Sequence, residues 1–102
     1  MRDIDHFIAG SSFRGGSDRS SDVFDPNTGE VQARVRLATE AEVDRAVQAA
    51  ADAYPEWSAV NPQRRARVMF EFKRLVEADM ETLARLLSSE HGKVIADAKG
   101  DI

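Results

Sequence analysis

Between Val31 and Leu37 the chain settles into a period of two, and from Thr39 onward it changes to the helical period. That change limits the fold more than any other feature. The stretch VFDPNTGEVQARVRL reads as strand, turn, strand. Pro26 presets one turn φ, Asn27 can bond its own backbone, and Gly29 permits the reversal. After the turn, Val31, Ala33, Val35 and Leu37 alternate with Gln32, Arg34 and Arg36. Such alternation puts one face in a core and the other in water. Then TEAE, residues 39–42, forms a capping box. The Thr39 hydroxyl can accept from the Glu42 amide while the Glu42 carboxylate reaches back. Strands and turns therefore fill residues 1–37 and helices fill 39–102. The fold class expected is α+β, antiparallel strands and a hairpin followed by three to four helices.

The remaining elements follow from the same rules. HFIAGSSF (6–13) reads as a hairpin turning at Ala9-Gly10, and RGGSDRSSD (14–22) as a polar, flexible connection. Val43, Ala46, Val47, Ala50 and Tyr54 make one apolar stripe on the first helix. Pro55 is expected to end that helix, leaving EWSAVN as a connector with Trp57 as a buried anchor. Asn61 caps the second helix, with Pro62 at the first helical position, where its missing N–H costs nothing. Val68, Met69, Phe72, Leu75 and Val76 form its apolar face. A third helix starts near Asp79, turns Met80, Leu83, Leu86 and Leu87 inward, and stops at Gly92. Val94, Ile95, Ala98 and Ile102 keep helical spacing to the last residue, so a fourth helix reads as cut off rather than capped.

Several kinds of chemistry are excluded by what the chain contains. It has no cysteine, hence no disulfide, no thiolate metal site and no cysteine nucleophile. Its two histidines, His6 and His91, stand far apart. A net charge of −4 argues against a general nucleic-acid binder. No apolar run is long enough to span a bilayer, and MRDID does not begin a signal peptide. A cytoplasmic location, or the mitochondrial matrix in a eukaryote, is the expectation, with no membrane and no nucleic acid among the partners.

Three short stretches carry chemistry-bearing residues. In EHGK (90–93), His91 could act as a general base with Glu90 as its orienter. Adjacent helical residues point in different directions, however, and the same residues read as a helix end with His91 and Lys93 near the negative pole of the dipole. RRAR (64–67) could bind phosphate, but it lies in the first turns of an amphipathic helix followed by Glu71, Glu77 and Asp79. A solvated face is the simpler reading. GSSFRGGS (10–17) is rich in Gly and Ser but is not GxGxxG and leads into no helix. The residues alone show no catalytic set.

Taken in order, the motifs HFIAG…F, VFDPNTGEVQARV, EVDRAVQAAADAYPEWS, RRARVMFEFKRLVE, LARLLSSEHGK and DAKGDI resemble the amino-terminal part of the aldehyde dehydrogenase superfamily. The family's usual Asn-Pro-Ala-Thr-Gly-Glu turn is here Asp25-Pro26-Asn27-Thr28-Gly29-Glu30, and Phe13 stands where a Trp is usual. The stretch from Pro62 to Phe72 resembles the branch that oxidises methylmalonate and malonate semialdehydes and passes the acyl group to coenzyme A. The resemblance implies a parent of α/β, Rossmann-like fold that uses NAD and forms a homo-oligomer. In that parent a cysteine thiolate attacks the aldehyde, and an Arg shortly after GDI helps hold the substrate carboxylate. Neither residue lies in this sequence, so no catalytic or cofactor-binding residue carries over. The segment would flank the cofactor domain, with the remainder of the dehydrogenase chain as its partner, and would be inactive alone. The resemblance also implies a monovalent cation near the turn, held at Val23, Phe24 and Glu90, where oxygen ligands suit a hard ion. The rival expectation is a stand-alone, non-catalytic module that binds a partner or itself.

Overall fold

The computed structural model describes residues 1–102, with five strands and four helices. They gather into two compact units, residues 1–24 with 31–59 and residues 25–30 with 60–102.

In the first unit, β5 (Val31–Arg36) is the middle strand of a three-stranded sheet. β4 (Ser20–Phe24) lies antiparallel on one side, with Ser21 opposite Val35 and Asp22 opposite Arg34. β1 (Arg2–Ile4) lies parallel on the other, with Arg2 opposite Ala33. The alternation along β5 has its deepest point at Ala33, which is fully buried. A separate hairpin pairs β2 (His6–Ile8) with β3 (Ser11–Phe13). Its two turn residues are both left-handed, Ala9 at φ 53° and Gly10 at φ 81°. That is the geometry a two-residue hairpin needs, because its twist matches the strands. α1 (Glu40–Ala59) completes the unit.

Two expectations for this unit are corrected. Residues 20–22 are not flexible connection but the start of β4. Their polar side chains belong to an exposed edge strand, where Arg34 Nε donates to Asp22 Oδ1 across the ladder at 3.1 Å. Pro55 does not end α1; the helix runs through it to Ala59. Proline's φ is already helical, so it removes one hydrogen bond and crowds the preceding turn without forbidding continuation. No further breaker occurs before Asn61-Pro62. Trp57 is therefore carried on the last turn of α1 and is 42% exposed, not buried.

The second unit joins the Asp25–Glu30 turn to α2 (Pro62–Ala78), α3 (Met80–His91) and α4 (Ile95–Asp101). The Asn61 side chain accepts from the Gln63 amide and so caps α2. α3 packs on α4, and each contributes one fully buried alanine, Ala84 and Ala98. Lys99 pairs with Glu81, and Lys93 with Asp101. Gly100 lies within α4. In the turn, Asp25 Oδ1 accepts from the Asn27 amide at 2.8 Å and from Asn27 Nδ2 at 2.9 Å, so the Asn27 side chain bonds Asp25 and not its own backbone. The Gly29 amide closes the turn on the Asp25 carbonyl at 2.7 Å, with Gly29 at φ 76°. A Cβ there would meet nothing within 4 Å, so only the backbone objects to a side chain. Gly29→Val should therefore destabilise the protein by roughly 1–2 kcal/mol, seen as a lower melting temperature.

No large side chain is fully buried in either unit. The stripes expected to face inward on the first two helices are present, yet Val47 is 64% exposed and Phe72 59%. Amphipathic helices form to bury such faces. Within these residues the faces of α1 and α2 remain uncovered.

Candidate functional site

The tightest polar arrangement lies where the strap of residues 14–19 crosses the start of α1. Thr39 and Glu42 make the expected capping box. The Thr39 amide donates to Glu42 Oε2 at 2.8 Å, and the Glu42 amide donates to the Thr39 hydroxyl at 3.2 Å. The second carboxylate oxygen is engaged as well, accepting from the Gly16 amide at 2.5 Å. Glu42 is 9% exposed. The two backbone amides, from Thr39 and then Gly16, hold its carboxyl below the usual carboxylate range, and His6 adds a smaller electrostatic pull the same way. His6 Nε2 is buried without a hydrogen-bond partner. A Cβ on Gly15, at φ 66°, would come within 2.9 Å of it. The Arg45 guanidinium stands 4.6 Å over the Phe13 ring and ties α1 to the hairpin. The role of Glu42 toward Gly16 was not visible in the sequence, because the contact spans 26 positions.

This arrangement settles how the Gly-rich stretch is used. The Gly16 amide, the donor a phosphate would need, already serves a carboxylate. An anionic group such as the NAD pyrophosphate would meet like charge there, and no glycine turn here opens a helix onto free amides. The strap of residues 14–19 does not fit a dinucleotide site.

The other candidates separate. His91 is the last residue of α3, followed by Gly92 at φ 88°, whose amide returns to the Ser88 carbonyl at 2.8 Å. Lys93 is committed to Asp101. EHGK is thus the end of one helix, with Glu90 and His91 adjacent on it, where neighbouring side chains point in different directions. Val23 and Phe24 are neighbours on β4 at a shift in the ladder, where Val23 faces Ala33 and Phe24 faces Val31. The Phe24 carbonyl accepts from Gln32 Nε2 at 3.3 Å. Glu90 lies on α3, in the other compact unit. No group of three His, Cys, Asp or Glu residues is placed to hold a metal ion. On α2, Arg64 and Arg67 are exposed, and Arg65 is half-buried with its Nε unpartnered. Further along, Arg74 grips Glu71 with two hydrogen bonds, which lowers the Glu71 carboxyl. Basic and acidic residues thus mix on the helix, and no basic stripe forms.

Comparison with known proteins supplies what the geometry lacks. Residues 13–102 match the model of the aldehyde dehydrogenase family. This chain belongs to that family. A malonate-semialdehyde dehydrogenase from Listeria monocytogenes is 39% identical over all 102 residues, which make up 21% of its length. Among solved structures, a protein of Sinorhizobium meliloti 1021 assigned as a methylmalonate-semialdehyde dehydrogenase, in complex with NAD, is 52% identical with a TM-score of 0.96. The match covers 100% of this aldehyde dehydrogenase chain and 21% of that one. Methylmalonate-semialdehyde dehydrogenase from Oceanimonas doudoroffii is 42% identical with a TM-score of 0.94, over 99% of this chain and 20% of its own. This α+β aldehyde dehydrogenase chain therefore spans about a fifth of the length of these relatives. None of its helices is long and apolar enough to cross a membrane.

Proposed function

We propose that these residues are a scaffold segment of an NAD-dependent dehydrogenase that oxidises methylmalonate or malonate semialdehyde and transfers the acyl group to coenzyme A. The observation that carries this reading is the 52% identity, over the whole chain, to the Sinorhizobium protein solved with NAD. Coenzyme A rests on the resemblance of the Pro62–Phe72 stretch to the acylating branch. The segment's own contribution is mechanical. It contains no cysteine, so the thiolate that attacks the aldehyde belongs to other residues of the parent. The uncovered faces of α1 and α2 favour a partner in the remainder of that chain, and a homo-oligomeric, cytoplasmic enzyme is the form proposed. A monovalent cation held through oxygens of Val23, Phe24 and Glu90 rests on family resemblance alone.

The test is turnover. The purified native protein should form NADH from methylmalonate semialdehyde or malonate semialdehyde only when coenzyme A is supplied, and should release the acyl-coenzyme A product. The 102 residues expressed alone should form none. NADH production by the isolated segment would overturn the reading, and coenzyme A-independent oxidation by the native protein would remove it from the acylating branch. Repeating the assay and a melting curve in potassium and in choline tests the cation, which predicts a difference between the two salts.

A further inference from the structure

The geometry points to a latch: the Glu42 carboxylate locks the strap of residues 14–19 onto the start of α1, and its loss releases the strap while the sheet stays folded. One side chain bridges the middle of the strap and the helix cap. Oε2 takes the Thr39 amide at the helix cap and Oε1 takes the Gly16 amide in the strap. Amide bonds to an ionised carboxylate are short and strong, and these are 2.5 and 2.8 Å. Everything else on the strap ties it to its own ends or to the β5 side. The Arg19 amide donates to the Ser17 hydroxyl, Arg36 Nη1 to the Ser17 carbonyl, and the Leu37 amide to the Arg19 carbonyl, while Arg19 Nη2, at the strap's last residue, donates to the Ala38 carbonyl at 3.4 Å. Arg14 pairs with Asp3. The hydrogen bond at Glu42 is the one that anchors the middle of the strap to α1.

Protonation opens such a latch because a carboxylic acid presents a donor where two amides also donate. The sign follows from the carboxyl being held below its ordinary value. The contribution is complete above about pH 4.3, the usual Glu value, and is lost as pH falls through the lower folded value. His6 on β2 is the titratable group that acts on Glu42 across the fold; Arg45, three residues along α1, is turned to Phe13 instead. A positive charge on His6 favours the carboxylate, so His6 delays the opening in acid.

Hydrogen exchange followed by mass spectrometry on the purified native protein tests the latch. The two peptides to compare are residues 14–19 and residues 31–36. In Glu42→Gln the strap should exchange about tenfold faster or more at pH 7, the effect of losing charge-assisted bonds, with β5 unchanged. In the wild type, after correction for intrinsic rates, the strap should open first as pH falls below about 4.3. In His6→Asn that opening should begin at higher pH. Equal strap protection in wild type and Glu42→Gln would overturn the latch. So would strap and β5 opening together in either protein, which would make Glu42 a support of the whole unit. If Glu42→Gln does not fold, the wild-type acid series decides: separate opening supports the latch and joint opening rejects it.

Discussion

Gly92→Val should destabilise the protein by about 2–4 kcal/mol, seen as a lower melting temperature. Two costs add. Gly92 ends α3 at φ 88°, in the left-handed region that costs a residue with a Cβ roughly 1–2 kcal/mol. A Cβ built there would also lie 3.0 Å from Pro26 Cγ, closer than packed carbons sit. Relieving that contact means moving the Asp25–Glu30 turn, which is stiff: the Gly29 amide and the Asp25 side chain both close it from within. The turn also reaches α3 through Asn27 Nδ2, which approaches the Ser88 carbonyl at 3.5 Å, while the Ser88 hydroxyl donates to the Lys93 carbonyl at 2.7 Å. A double-mutant cycle divides the two costs. Pro26→Ala in a Gly92→Ala background should recover the steric part and leave the backbone part. If the two substitutions add without coupling, the contact with Pro26 carries no weight.

This joint shows which parts of the fold were legible in the sequence. Gly92 as a helix stop, Gly29 as a turn residue, the Thr39–Glu42 box and the Asn61-Pro62 start are local rules, satisfied within a few residues, and each holds in the structure. What was missed needed partners distant in sequence. β1 has three residues, too few to show a period, and exists because β5 offers it an edge. Ser20–Asp22 read as loop because an exposed edge strand carries no apolar alternation. The continuation of α1 through Pro55 was missed because proline is weighed as a breaker before the residues after it are asked for an alternative. The seating of Gly92 against Pro26 lay outside any local pattern. Among the site residues, the helix end at His91 was readable. Glu42 was recognised as a cap and not as the holder of Gly16, because nothing near Gly16 in sequence names its acceptor.

Phe72→Ala is the sharper test of what the uncovered helices are for. Within these residues Phe72 is 59% exposed, and truncating a side chain in that state normally changes stability by no more than about 0.5 kcal/mol. Phe72 lines one groove with Val68 and Leu75, and a second with Met69, Val76 and Met80. A helix that presents a Phe to two apolar grooves is shaped for cover on both. If the remainder of a dehydrogenase chain supplies that cover, Phe72→Ala in the native protein should cost about 3–5 kcal/mol, as for a buried aromatic. The variant should then keep the oligomeric state of the native protein in sedimentation. The rival module gives a different pair of results: a second copy would cover the face, so the same loss would come with dissociation of the variant into monomers. A change within about 0.5 kcal/mol would mean that the face is wet in the native protein, and the scaffold reading of α2 would fall with it.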